Sequence, residues 1–217
     1  MAVRHAPLRR IELAGADLRY AESAWPRAEA DALFDELRVG IAWAPHRLRL
    51  FGREVETPRL SCWIGDAAAA YAYSGSRFEP APWTPSLARL RDALSARLGV
   101  AFNSVLANLY RDGRDTVGWH SDDEAELGAA PVIASVSLGA ARTFVLRSRA
   151  TRTRALALEL GHGSLLVMAG ATQRLYQHAL PRRTRVPGER INLTFRHVVE
   201  GAAHSAGTRQ ARAARGS

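Results

Sequence analysis

The stretch from Asn103 to Asp123 ends in residues whose spacing suits metal binding. His120 and Asp122 are separated by a single residue. On an extended chain, residues i and i+2 point to the same side. The imidazole and the carboxylate can therefore reach one small ion, although a histidine beside a carboxylate is more often a solvated surface pair.

A second histidine would complete a set of two imidazoles and one carboxylate. His178 lies in the segment 174–180, which has the pattern of a strand, whereas the rival His162 lies between two glycines. We prefer His178, because a rigid element holds a ligand better than a loop does. Two histidines and one aspartate favour iron(II) and leave coordination positions open for substrates.

The segment 190–196 has two chemically different faces. Ile191, Leu193 and Phe195 form an apolar face that predicts packing on a core. The polar face is either solvated, as on many antiparallel sheets, or directed into a pocket. Because arginine holds carboxylates by paired, charge-assisted hydrogen bonds, the pocket would be a site for a dianion. The polar face consists of Arg190, Asn192, Thr194 and Arg196.

These residues together favour one kind of chemistry. An iron ion held by His120, Asp122 and His178 could bind a 2-oxo acid through its carboxylate and keto oxygens and still accept dioxygen. An arginine would hold the far carboxylate, and Asn108 and Tyr110, on one face of their own strand, could add neutral donors. This is the layout of an iron(II), 2-oxoglutarate-dependent dioxygenase.

Helices and short strands must position these side chains. One helix is predicted from Pro26 to Gly40, and a second begins after Thr84, the expected N-cap, and ends at Gly99. After residue 101, alternating segments separated by glycine and proline turns predict a sandwich or jelly roll. The predicted strands lie near residues 103–110, 117–120, 132–138, 143–147, 155–160, 164–168, 174–180 and 190–198.

We therefore expect a mainly β fold with α-helices, built on a double-stranded β-helix (jelly-roll) core. The core should occupy residues 101–200. Residues 1–100 should form an N-terminal α/β extension that packs on the core and carries nucleotide-recognition elements. Residues 201–217, rich in Ala, Gly, Ser and Arg, should form a disordered basic tail.

Two features of the N-terminal part have alternative interpretations. Tyr71 and Tyr73 alternate, so both rings either pack in a core or offer a stacking platform for a base. Leu50 and Phe51 stand at the tip of an expected hairpin. They are either core residues, which the sequence alone favours, or a wedge that enters a base stack.

Composition limits the partners and the compartment. The chain has 217 residues and a formal net charge of +9, which favours polyanions, nucleic acid foremost. Every basic residue is arginine, which indicates a coding bias and reduces the weight of the charge. The single cysteine excludes an internal disulfide, and no secretory signal or membrane-spanning run is present. We expect a cytoplasmic, nucleoid-associated monomer without a membrane partner.

Six segments match one family pattern in their joint spacing. They are Asn108-x-Tyr110, His120-Ser-Asp-Asp-Glu124, Ile133-Ala-Ser-Val-Ser137, His162-Gly-Ser-Leu165, His178 and Arg190-x-Asn-Leu-Thr-Phe-Arg196. This pattern resembles the AlkB family of nucleic-acid dealkylating dioxygenases, and most closely its DNA-repair subgroup. The resemblance runs from about residue 48 to residue 198 and is densest after residue 103.

The resemblance implies a role for each matching residue. It implies iron(II) ligands at His120, Asp122 and His178, with 2-oxoglutarate and dioxygen as co-substrates. It implies 2-oxoglutarate contacts at Asn108, Tyr110, Arg190, Asn192, Thr194 and Arg196. It implies substrate contacts at Tyr73, Asp123, Glu124 and Phe51, the last in the tip Leu50-Phe51-Gly52 that resembles a duplex-probing finger.

The implied activity is repair of alkylated DNA by oxidative demethylation of N-methylated bases such as 1-methyladenine and 3-methylcytosine. The products would be formaldehyde, succinate and CO2. One alternative is the same chemistry on RNA or protein. Another is a basic nucleic-acid-binding module without chemistry, which leaves the polar face of the segment 190–196 unexplained.

Overall fold

The computed structural model describes residues 6–50, 53–69, 71–73, 76–78, 80–185 and 188–199. The strands are β1 (Arg9–Ile11), β2 (Asp17–Ala21), β3 (Ala44–Leu50), β4 (Arg53–Gly65), β5 (Tyr71–Tyr73), β6 (Ser76–Phe78), β7 (Ser104–Tyr110), β8 (Val117–His120), β9 (Ile133–Gly139), β10 (Arg142–Ser148), β11 (Arg154–Leu160), β12 (Ser164–Ala169), β13 (Tyr176–Leu180) and β14 (Arg190–Arg196). The α-helices are α1 (Arg27–Gly40), α2 (Pro85–Leu98) and α3 (Thr172–Leu175). None of these helices is both long enough and apolar enough to span a bilayer.

Among the described residues, two antiparallel sheets form the body of the protein. The larger has the order β1-β2-β12-β9-β14-β7-β4-β3, and the smaller has the order β11-β10-β13-β8. Buried side chains from both sheets, such as Leu18 and Leu166 from the larger and Leu146 and Leu160 from the smaller, meet in one apolar cluster. The predicted jelly-roll core is confirmed.

The outer face of the larger sheet is covered by the two long helices. Leu37 of α1 and Leu94 of α2 belong to the same buried cluster as Leu193 and Phe195 of β14. Because side chains alternate along a strand, this contact turns the polar face of β14 towards the interior between the sheets. The apolar half of the pattern in β14 thus fixes where its arginines point.

Helix α2 begins and ends where its sequence predicts. The Thr84 hydroxyl oxygen accepts a hydrogen bond from the Leu87 amide at 3.3 Å. Gly99 ends the helix in the left-handed region, with φ of 68°, which glycine adopts without a steric cost. Helix α1 likewise starts directly after Pro26 and ends at Gly40, as predicted.

Replacing Thr84 with alanine is expected to lower the free energy of unfolding by about 1 kcal/mol, the usual contribution of an N-cap side chain. The matched control is Thr84→Ser, which keeps the accepting oxygen. Urea denaturation followed by circular dichroism measures both variants. If the alanine variant unfolds at the same urea concentration as the serine variant, the cap does not stabilise α2.

The structure departs from the predicted elements in two places. The predicted strand at 174–180 starts only at Tyr176, because the short helix α3 precedes it. One helical turn is too short to show a periodic pattern. Strand β4 also runs through Pro58, although proline is disfavoured inside a strand. The proline lies where the register of β3 shifts and before pairing with β7 begins at Leu60, so no ladder bond requires its missing amide hydrogen.

Strands from both sides of residue 100 share the larger sheet. Strand β2 pairs with β12, and β4 pairs with β7. The two predicted parts, residues 1–100 and 101–200, thus contribute to one sheet, and their division into an extension and a core stays a prediction. Phe51 and residues 201–217 lie outside the described residues, and so does the side chain of Tyr73, whose backbone lies in β5.

Candidate metal centre and co-substrate pocket

The two candidate histidine ligands face each other across neighbouring strands. His120 at the end of β8 is the register partner of His178 in β13. Their ring centroids are 4.2 Å apart, and their Nε2 atoms are separated by 3.1 Å. Asp122 lies directly after β8, and its carboxylate oxygens approach the Nε2 atoms of His120 and of His178, each at 3.9 Å. Among the described residues, these three form one group of potential metal ligands.

The residues of the metal centre are held in place by hydrogen bonds to β8, β13 and α3. The Gly118 carbonyl oxygen lies 2.8 Å from His120 Nδ1, so Nδ1 is occupied and Nε2 is directed at the centre. The Ser121 hydroxyl donates to the Tyr176 carbonyl at 2.9 Å. The Asp122 amide donates to Gln173 Oε1 at 3.0 Å. The candidate ligands are therefore oriented by contacts outside the ligand set.

The donor set fits a single divalent ion. Two bonds of about 2.1 Å at a right angle place their ligand atoms roughly 3 Å apart, and the two Nε2 atoms are 3.1 Å apart. The carboxylate oxygens at 3.9 Å lie within the roughly 4.2 Å that two such bonds can span. Two imidazoles and one carboxylate, with other positions open, are the set that non-haem iron(II) oxygenases use.

The electrostatics of the site keep Asp122 and His178 in the protonation states that suit a metal. Burial alone would raise the pKa of Asp122, but Arg196, His178 and His120 together lower it to about 2. Burial lowers the pKa of His178 to about 3, and His120 adds to this effect. At neutral pH Asp122 is thus ionised and His178 is neutral, which are the protonation states that metal binding requires.

A cavity lined by the three ligands extends into the interior between the sheets. The polar face of β14 lines it, as the alternation in the sequence predicts. Arg196 Nη2 donates to Asp122 Oδ1 at 2.8 Å. The lining includes all six predicted co-substrate residues, Asn108, Tyr110, Arg190, Asn192, Thr194 and Arg196, together with His120, Asp122 and His178.

Arg190 stands at the opposite end of β14 from Arg196. Its Nη2 donates to Ser137 Oγ at 2.9 Å, and its Cζ lies 5.2 Å from the centre of the Tyr110 ring. Burial lowers its pKa to about 10, while Tyr110 opposes that shift. Arg190 therefore stays protonated at neutral pH and presents a buried positive charge to the cavity.

Several residues of this pocket had no assigned role in the sequence analysis. Arg59 lines the cavity and donates from Nε to Asn108 Oδ1 at 2.8 Å. Ser135 Oγ accepts from Asn192 Nδ2 at 2.8 Å. Ser135 and Ser137 share one face of β9, and this alternation could have indicated a polar face directed at the pocket. No local sequence pattern indicated a role for Arg59.

The predicted substrate residues Asp123 and Glu124 have different surroundings. The Asp123 carboxylate is exposed and forms an ion pair with Arg149 Nη1. Arg149 also donates to the Gln173 carbonyl at 3.2 Å, so it ties the segment after β8 to α3. Burial raises the pKa of Glu124, which lines a smaller cavity beside Arg196. Contact of either carboxylate with a base stays a prediction.

His162, the rival ligand, lies elsewhere in the fold. Its Nδ1 accepts a hydrogen bond from the Gly139 amide at 2.8 Å. Its Nε2 lies 3.1 Å from Asp31 Oδ1 of α1. His162 therefore links α1 to the end of β9 and is not part of the ligand group.

Replacing Gln173 with leucine is expected to weaken metal binding by about 10-fold or more, because partners outside the ligand set typically contribute 10- to 100-fold. The substitution removes the acceptor for the Asp122 amide. Titration of the purified chain with Zn(II) measures the effect. Gln177→Leu, in β13 but bound to Arg147, is the matched control. Equal affinity of the two variants would contradict a positioning role for Gln173.

Comparisons with known proteins agree with this geometry. Residues 17–196 match the 2OG-Fe(II) oxygenase superfamily. The DNA oxidative demethylase ALKBH2 of Homo sapiens is 41% identical over 201 residues, which cover 88% of this chain and 77% of that protein. Alpha-ketoglutarate-dependent dioxygenase alkB homolog 3 of Bos taurus is 40% identical over 179 residues, covering 78% of this chain and 62% of that protein.

A solved structure shows the same fold. The structure of OsALKBH1 superposes with a TM-score of 0.60 at 18% identity and covers 88% of this chain and 100% of that one. At this level of identity the likeness concerns the arrangement of the chain alone.

Proposed function

Because the chain belongs to the AlkB family within the 2OG-Fe(II) oxygenase superfamily, we propose that it repairs alkylated DNA by oxidative removal of N-methyl groups from bases. The observation that carries the proposal is the convergence of His120, Asp122 and His178 at one end of a cavity. The buried guanidinium of Arg190 lines the same cavity.

Different residues of the pocket would bind iron(II) and 2-oxoglutarate. His120, Asp122 and His178 would hold the iron, and Arg190 would bind the distal carboxylate of 2-oxoglutarate. When bound, iron, 2-oxoglutarate and dioxygen supply the oxidation of the methyl group, coupled to conversion of 2-oxoglutarate to succinate and CO2. The oxidised methyl group leaves as formaldehyde and restores the base.

Arg196 links the two halves of the site. Its Nη2 donates to Asp122 Oδ1 at 2.8 Å, which fixes the carboxylate and neutralises its charge inside the protein. The guanidinium also lines the cavity where the 2-oxo acid would bind. Arg196 therefore orients an iron ligand and stabilises an anionic co-substrate with one side chain.

A damaged base in DNA is the substrate that the surroundings favour. The formal net charge of +9 suits a polyanion, and the relative ALKBH2 of Homo sapiens is named a DNA oxidative demethylase. On the smaller sheet, the Arg147 guanidinium lies 4.3 Å from the centre of the Trp119 ring. Arg152, just after the same strand β10, donates to Gln177. Both arginines therefore place positive charge near the strands that carry His120 and His178. The target atom is inside a duplex, so the base must be extruded, and a methylated pairing edge lowers the cost of extrusion.

The test is turnover on a matched panel of substrates. The full chain, with iron(II), ascorbate and 2-oxoglutarate, is incubated with DNA and RNA oligonucleotides that carry 1-methyladenine or 3-methylcytosine, and with a methylated peptide. Mass spectrometry follows loss of the methyl group. We expect loss from DNA at the highest rate; faster loss from RNA or peptide would reassign the substrate, and loss from none would overturn the proposal.

A further inference from the structure

Arg142, the first residue of β10, is a buried cation without a carboxylate partner. Only 1% of its surface is exposed. Among the ion pairs of the described residues, none includes Arg142. Asp115 and Asp112, the carboxylates whose charges act on Arg142, are already bound, because Asp115 pairs with Arg111 and Asp112 pairs with Arg114. An unpaired buried charge is costly, so its presence calls for an explanation.

The guanidinium joins two backbone segments next to Tyr110, which lines the cavity. Nη1 donates to the Asp112 carbonyl at 3.1 Å, and Nη2 donates to the carbonyls of Asp115 and Pro181, at 2.9 and 2.8 Å. Residues 112 and 115 lie in the turn between β7 and β8, and Pro181 follows β13. Arg142 therefore holds together the ends of the strands that carry Tyr110, His120 and His178.

Two buried guanidiniums lie near the ring of Tyr110. The Cζ of Arg190 is 5.2 Å from the ring centre, and the Cζ of Arg142 is 5.8 Å from it. Tyr110 and Arg190 line the cavity, whereas Arg142 does not. Arg142 thus acts on the cavity through Tyr110 and through the charge that it adds beside Arg190.

We infer that Arg142 is a positioning residue for the distal carboxylate of the 2-oxo acid co-substrate. It fixes Tyr110 and the turn between β7 and β8, and its charge adds to that of Arg190. The two buried cations together require an anion, which the distal carboxylate supplies. The inference rests on the proposed use of 2-oxoglutarate and adds a determinant of its affinity.

The experiment compares two 2-oxo acids that bind a metal alike. The full chain is loaded with Zn(II), which has no redox chemistry, and is titrated calorimetrically with 2-oxoglutarate or with 2-oxobutyrate, which lacks the distal carboxylate. The variants are Arg142→Gln and Arg142→Lys. Arg89→Gln, an exposed position in α2, is the control for loss of one positive charge.

We expect Arg142→Gln to weaken 2-oxoglutarate binding by about 10-fold, the lower end of the contribution of an outer partner, and 2-oxobutyrate binding by less than about 2-fold. Arg142→Lys keeps the charge but cannot reach three carbonyl oxygens at once, so we expect an intermediate loss. If the glutamine variant fails to fold, the binding measured for Arg142→Lys tests the inference.

Other outcomes separate the two proposals. If folded Arg142 variants bind 2-oxoglutarate as the control does, or weaken both 2-oxo acids equally, Arg142 supports the fold alone and the inference is overturned. If the unaltered chain binds metal but not 2-oxoglutarate, the proposed function is overturned, and the inference that rests on it is overturned as well.

Discussion

Asp122→Asn is expected to lower demethylation by more than about 100-fold, beyond what loss of a partner outside the ligand set costs. The substitution keeps the shape of the side chain and an oxygen for the contact with Arg196 Nη2. It removes the negative charge of the carboxylate, which Arg196 stabilises. The neutral side chain then binds a divalent ion far more weakly. Metal affinity, measured by titration with Zn(II), should fall together with activity.

The matched control is Asp92→Asn in α2, where the carboxylate is largely exposed. This variant should bind metal and release methyl groups as the unaltered chain does. Thermal denaturation establishes that both variants are folded. An Asp122→Asn protein that is folded, binds metal normally and still demethylates would show that Asp122 is not a ligand.

Arg190→Met is expected to weaken 2-oxoglutarate binding by about 30-fold or more, because truncating one partner of a buried charge pair costs 2 kcal/mol or more. Methionine fills a similar volume, and the lost contact to Ser137 leaves a hydroxyl that rotates freely. Metal affinity should not change, since Arg190 binds none of the ligands. Calorimetric titration of the metal-free chain with Zn(II) measures metal affinity, and titration of the Zn(II)-loaded chain with 2-oxoglutarate measures co-substrate affinity.

Arg89→Met controls for removal of one arginine from the surface. Binding of 2-oxobutyrate should be nearly equal in both variants, because this acid has no distal carboxylate to lose. Should Arg190→Met bind 2-oxoglutarate as tightly as Arg89→Met, another residue must hold the distal carboxylate.

The iron and co-substrate residues could be predicted mainly because side chains alternate between the two faces of an extended chain. Spacing of i and i+2 places His120 and Asp122 on one side. The apolar face of β14, with Leu193 and Phe195 fully buried, forces Arg190 and Arg196 into the opposite side. A one-residue shift would turn every apolar side chain of this strand into the cavity and its arginines towards the helices, so the register is strongly specified.

The residues that support the site could not be predicted in the same way. Gln173 binds the Asp122 amide across 51 positions of sequence, and the contact depends on the one-turn helix α3. Asp123 pairs with Arg149 of the turn after β10, a contact that the sequence did not predict, and its role at the substrate stays a prediction. Such pairs depend on how loops meet, and no local period reports them.

Arg142 left one signal in the sequence. It shares a face of β10 with Phe144 and Leu146, and Leu146 is buried, so alternation alone places an arginine towards the interior. What it contacts there, three carbonyl oxygens from two distant segments, follows only from the fold.

The most direct test of the account is the stoichiometry of the reaction on a single lesion. The full chain is given iron(II), 2-oxoglutarate and an oligonucleotide with one 1-methyladenine, beside the same oligonucleotide without the methyl group. Formaldehyde, succinate and restored adenine are then quantified together. We predict equal amounts of the three products on the methylated strand and a loss of all three with Asp122→Asn; restored adenine without formaldehyde and succinate, or equal succinate on both strands, would contradict it.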